Sequence, residues 1–76
     1  MSTQETIRAL VLRVMQEHRC PVPREGAPLE VDSLAVVALV DALEVDLGIR
    51  LRPADVRAET FDSMDALIHV VMARMA

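Results

Sequence analysis

An aspartate and a serine, Asp32 and Ser33, stand directly before the apolar run LAVVALV of residues 34–40. An acidic residue ahead of such a run marks a helix start, where its carboxylate accepts a hydrogen bond from an amide of the first turn. Ser33 then falls within that turn, where backbone N–H groups lack partners and the positive end of the helix dipole points outward. A phosphate ester on the Ser33 hydroxyl would be stabilised there. Taken alone, the same pair describes ordinary helix capping, so its surroundings have to decide between the two.

The other residues able to do chemistry offer less. Asp62-Ser63-Met64 repeats the pattern, but only one helix can follow it, and it reads as the cap of that last helix with Asp62 and Asp65 in the first turn. His18 and His69 are far apart without a ligand set around them, so no metal site is expected. Cys20 is the single cysteine. It cannot form an internal disulfide, which fits a reducing compartment, and it reads as a small residue just past a helix end. No nucleophile has a base placed beside it, so no catalytic residue is assigned and the chain is not expected to be an enzyme.

These residues must be positioned by helices. Ile7, Leu10, Val11, Val14 and Met15 recur at spacings of three and four, marking the inner stripe of a first helix over about residues 3–19, with Ser2 and Glu5 as a capping box. Pro21 and Pro23 stop it. Residues 20–31 hold three of the four prolines and one of the two glycines, and read as an ordered, irregular loop. A second helix is expected over about 32–47 with Gly48 at its C-terminal end. A connector of residues 48–52 follows, anchored by Ile49 and Leu51, then a short helix over about 53–58 opened by Pro53. A last helix spans about 62–75 with Met64, Leu67, Ile68, Val71, Met72 and Met75 inside. The expectation is an all-α bundle of three main helices plus one short one, a single domain over residues 1–76.

The second helix carries apolar residues on two sides. On a 3.6-residue period Val36, Leu39, Val40, Leu43 and Leu47 share the side that must face the core. Leu34, Val37, Ala38 and Val45 fall opposite, interrupted by Asp41 and flanked by Glu44. A helix covered all round by its neighbours is one reading. The favoured reading is an exposed, acid-rimmed patch of the kind that binds other proteins, because a buried Asp41 would need a cationic partner and the chain contains no lysine.

Composition sets the outer bounds. A chain of 76 residues is near the lower limit for a self-sufficient core, with no room for a deep enclosed active site. Phe61 is the one aromatic, so the core is built from Leu, Val, Ile, Met and Ala, a palette that favours helices. The net charge of −4 lies entirely beyond residue 31, where four arginines face eight acids, which argues against nucleic acid and for basic protein partners. No basic leader with an apolar stretch opens the chain and no apolar run reaches membrane length, so a soluble, cytoplasmic monomer is expected.

Asp32-Ser33-Leu34 lies near mid-chain, after a first helix and a proline-bearing loop, and is followed by LVDALEVDLGI, a proline connector, a short helix and a closing helix. That whole order resembles the acyl carrier protein family, over essentially all 76 residues. The resemblance implies that Ser33 carries a 4′-phosphopantetheine arm taken from coenzyme A and attached by a separate phosphopantetheinyl transferase. Cargo would ride as a thioester on the arm's thiol, presented to acyl-loading and acyl-processing enzymes by a chain that catalyses nothing itself. Leu34, Val37 and Asp41 match family positions that meet those enzymes; Asp32 and Glu44 match positions where acids pair with basic groups on partners. Two departures qualify the likeness. Glu30 and Val31 stand where a glycine is frequent, and Ala38 and Val45 stand where many fatty-acid carriers place glutamates. The partner face is therefore more apolar than is usual, which points to a specialised polyketide or other secondary-metabolite pathway over housekeeping fatty-acid synthesis. An aminoacyl or peptidyl carrier shares the architecture, although such carriers more often have histidine before the serine. A helical interaction module that is never modified is the reading from a different class.

Overall fold

The computed structural model describes residues 2–75, so the two terminal residues of the expected domain lie outside it. The regular structure among the described residues is all helical: α1 spans Thr3–Glu17, α2 Ser33–Leu47 and α3 Met64–Met75, with 3₁₀ turns at Pro53–Asp55 and Ala58–Phe61 between the last two. Among them there is no strand.

Each helix starts and stops for a local reason. Ser2 caps α1, its hydroxyl accepting from the Glu5 amide at 3.2 Å. The helix ends at Glu17, two residues before the expected boundary. Arg19 turns left-handed (φ 58°), and the amides of Arg19 and Cys20 bond back to the carbonyls of Gln16 and Met15 at 3.0 and 2.8 Å. This 5→2 and 6→1 pair closes the helix before Pro21 is reached. α2 ends similarly at Gly48 (φ 67°), whose amide bonds to Glu44 while that of Ile49 reaches Leu43 at 3.1 Å.

The short helix expected over residues 53–58 is instead two separate turns. Asp55 is pulled away from a continuing helix: its carboxylate accepts from the Arg52 amide at 2.9 Å and from Nε and Nη2 of Arg74 at 2.8 and 2.9 Å. Its carbonyl accepts from the Thr60 hydroxyl, and Arg57 between the turns is extended at φ −142°. α3 begins at Met64, not near Asp62, because the Ser63 hydroxyl caps the Ala66 amide at 3.0 Å.

Burial follows the stripes with four corrections. Ile7, Leu10, Val11, Val14 and Met15 of α1 and Met64, Leu67, Ile68 and Val71 of α3 are buried, as are Leu39 and Leu43 of α2 and the connector anchors Ile49 and Leu51. Fully burying each such aliphatic side chain is worth about 1.5–3 kcal/mol. The first correction is Met75, which is exposed because α3 outruns the bundle there. The second is Val36, which is only partly buried and does not pack on the core. The third is Ala35, absent from the expected stripe yet fully buried, since Ala35, Leu39 and Leu43 follow each other at one-turn steps. The fourth, Ala38, is partly buried and packs against the core edge, not in the exposed patch.

Ion pairs bridge the helices at the surface of the core. Arg8 meets Asp65 at 3.3 Å and Arg13 meets Asp46 at 2.8 Å, tying α1 to the start of α3 and the end of α2. Both are solvent-exposed, and each contributes about 0–1 kcal/mol. The loop between α1 and α2 is pinned by the buried Leu29, whose amide bonds to the Phe61 carbonyl at 2.9 Å, joining the segments that lead into α2 and α3.

Candidate functional site

Asp32 adopts an extended conformation (φ −88°, ψ 178°) and Oδ1 accepts from the Ala35 amide at 2.8 Å, while its carbonyl accepts from the Val36 amide at 2.9 Å. The carboxylate is thus committed to the helix end. Ser33 occupies the first position of α2 and is exposed. Among the described residues its hydroxyl makes no hydrogen bond, and the amides of Ser33 and Leu34 find no acceptor. An unengaged hydroxyl therefore stands at the positive end of a helix 15 residues long.

Ser63 shows the same dipeptide in a different register. Here serine, not aspartate, is the capping residue: its oxygen accepts from the Ala66 amide and its side chain is partly buried. Asp62 lies outside the helix.

The solvent side of α2 continues from Ser33. Leu34, Val37 and Val45 are 71%, 65% and 72% exposed. They surround the exposed Asp41, since residues 34, 37, 41 and 45 recur at spacings of three and four. Glu44 borders the patch but its carboxylate pairs with Arg50 at 3.0 Å, and Asp46 is taken by Arg13. Asp41 has no ion-pair partner among the described residues. The patch is accordingly apolar with one free carboxylate. Arg50 went unnoticed in the sequence, because its reach back to Glu44 depends on the chain reversal at Gly48.

The remaining candidates do not converge. His18 and His69 are exposed, and no three potential metal ligands cluster among the described residues. Cys20 is a partly buried free thiol whose sulfur lies 4.0 Å from the His18 carbonyl oxygen. Among the described residues no helix is long and apolar enough to cross a membrane.

Compared with family models, with curated proteins and with solved structures, the chain finds no match in any of the three.

Proposed function

We propose that the chain is an acyl carrier protein, bearing a 4′-phosphopantetheine arm on Ser33 and delivering thioester-linked cargo within a specialised pathway such as polyketide synthesis. The observation that carries the reading is the free Ser33 hydroxyl in the first turn of α2, followed along the same helix by an exposed apolar face.

The arm suits the residues around its attachment point. An exposed oxygen without hydrogen bonds can be esterified without breaking any contact of the fold. The resulting phosphodiester anion would lie beside the open Ser33 and Leu34 amides, a placement worth about 0.3–1 kcal/mol at an exposed helix N-terminus. Attachment forms a bond from Ser33 Oγ to the phosphorus of coenzyme A that bears the pantetheine arm, and releases the nucleotide half. Asp32 Oδ1 accepts from the Ala35 amide, and the base that takes the serine proton is assigned in this reading to the transferase. The arm supplies a thiol that holds cargo as a thioester. Leu34 and Val37, next along the exposed face, offer processing enzymes an apolar contact, and Asp41 the single charge for a basic group.

Intact-mass measurement tests the reading. Incubation with coenzyme A, magnesium and a promiscuous phosphopantetheinyl transferase is expected to add one arm to the wild-type chain, none to Ser33→Ala, and one to Ser63→Ala. An unchanged wild-type mass, or a gain that survives Ser33→Ala, would overturn it and leave the exposed face of α2 as a plain docking surface.

A further inference from the structure

The loop between α1 and α2 makes its own concavity. Its limbs, Pro21–Arg24 and residues 27–30, fold back on each other at a turn closed by the Ala27 amide on the Arg24 carbonyl at 3.0 Å, with Gly26 left-handed at φ 74°. Between the limbs lies a depression of about 440 Å³ lined by Pro21, Val22, Pro23, Arg24, Pro28 and Glu30 among others. Val22, on its wall, is 73% exposed and contributes nothing to the core. The loop is nonetheless tethered: Cys20 bonds to Met15, Leu29 is buried, and the Leu29 amide is held by Phe61.

Resting on the carrier reading of Ser33, we infer that this depression is the resting place of the prosthetic arm, which lies back against the proline loop and not along the partner face of α2. Three observations lead there. Glu30, on the rim, is three residues before Ser33, and three residues span at most about 11 Å, so the arm is attached within about that distance of the rim. The arm's chemistry matches the walls: it carries two secondary amides and a geminal dimethyl group. Pro21 and Pro23 have no N–H, the carbonyls of Pro21, Val22 and Pro23 accept no backbone hydrogen bond among the described residues, and Val22 with the proline rings gives the dimethyl group an apolar bed. Finally, the loop is held by the fold at Cys20 and Leu29 and closed on itself at Arg24 and Ala27, which lowers the ordering needed when the arm settles. The consequence is functional: with the arm lying on the loop, Leu34, Val37 and Val45 stay free for an arriving enzyme.

The test compares unmodified and arm-bearing protein by ¹H–¹⁵N NMR, with loading verified by intact mass. Amide shifts are expected to move at Val22, Arg24 and Ala27, outside the immediate neighbourhood of Ser33, with nuclear Overhauser contacts between the arm's geminal methyls and the Val22 methyls. In Val22→Ser, which alters an exposed loop residue, those shift changes should shrink while loading proceeds as before. A fully loaded protein whose shifts change only around Asp32–Val36, or whose arm contacts α2 or α3 side chains instead, overturns the inference and leaves the carrier reading standing. A chain that never gains the arm's mass overturns both.

Discussion

Val37 and Leu39 are two residues apart on α2 and face opposite ways, which makes them a sharp test of where the core ends. Val37 is 65% exposed and Leu39 only 1%. Roughly a third of the Val37 side chain is removed from water, so Val37→Glu forfeits about 0.5–1 kcal/mol of the 1.5–3 kcal/mol a fully buried valine contributes. The new carboxylate sits one turn from Asp41, adding about 0.2–0.5 kcal/mol of like-charge repulsion, and the better helix propensity of glutamate returns a few tenths. The net cost is about 1 kcal/mol. Leu39→Ala removes a side chain packed on all sides and costs about 2–5 kcal/mol. For a chain of 76 residues, whose whole stability at ~0.05–0.15 kcal/mol per residue is about 4–11 kcal/mol, that is a large share. In equilibrium urea denaturation followed by far-ultraviolet circular dichroism, with a slope of about 1 kcal/mol per molar, the Leu39→Ala midpoint falls by about 2 M or more and that of Val37→Glu by about 1 M. Under the proposed carrier function, the folded Val37→Glu protein is then expected to be impaired in cargo transfer between partner enzymes. A Val37→Glu midpoint as low as that of Leu39→Ala would place Val37 in the core and remove the docking face.

Two further outcomes concern the fold that holds the site. The Asp55 carboxyl is held below the usual carboxylate range, first by its hydrogen bonds from Arg74 and then by the Arg52 amide. Such a group contributes stability that is fully present above the ordinary value of about 4 and is lost as pH falls through the lowered one; thermal midpoints will drop below about pH 4 in the wild type and less steeply in Asp55→Asn, and equal slopes would show that the Asp55–Arg74 pair contributes nothing. At the two left-handed helix ends, opposite signs are expected in urea denaturation: Gly48→Ala loses about 1 kcal/mol through backbone strain alone, since an added Cβ meets nothing within 4 Å, whereas Arg19→Gly gains up to about 1 kcal/mol. A loss in both would refute the strain assigned to Arg19.

The helices and most of the core were legible because each signal is local and periodic. Ile7 to Met15 announce one stripe, and Asp32 and Gly48 bracket α2 by capping chemistry that acts within a single turn. What escaped depended on contacts distant in sequence. Asp55 engages Arg74, 19 residues away, and that contact, with the Thr60 hydroxyl on its carbonyl, leaves two turns, Pro53–Asp55 and Ala58–Phe61, where one short helix over about 53–58 was expected. Ala35 was left out of the stripe and Ala38 put in the patch for a related reason: a methyl group fits either a core or a surface, so the pattern alone does not place it. The exposed patch around Asp41 was legible because an unpaired carboxylate among valines and leucines is costly to bury.

The two Asp-Ser pairs show how a shift of one residue decides whether a serine is available. At α3 the serine is the cap and its oxygen is spent on the Ala66 amide; at α2 the aspartate caps, and the serine behind it is released to solvent. Asp32 is therefore a positioning residue for the Ser33 hydroxyl. Removing its carboxylate in Asp32→Ala costs about 0.5–2 kcal/mol of stability and offers the cap position to Ser33, which would then turn its oxygen inward, as Ser63 does, toward an amide one turn on. Loading of the arm is expected to slow in Asp32→Ala although the protein remains folded. Asn caps as well as Asp, so Asp32→Asn is expected to recover both stability and loading rate. Recovery of stability without recovery of rate would mean that the transferase reads the negative charge of Asp32 directly, and that capping is not what presents Ser33.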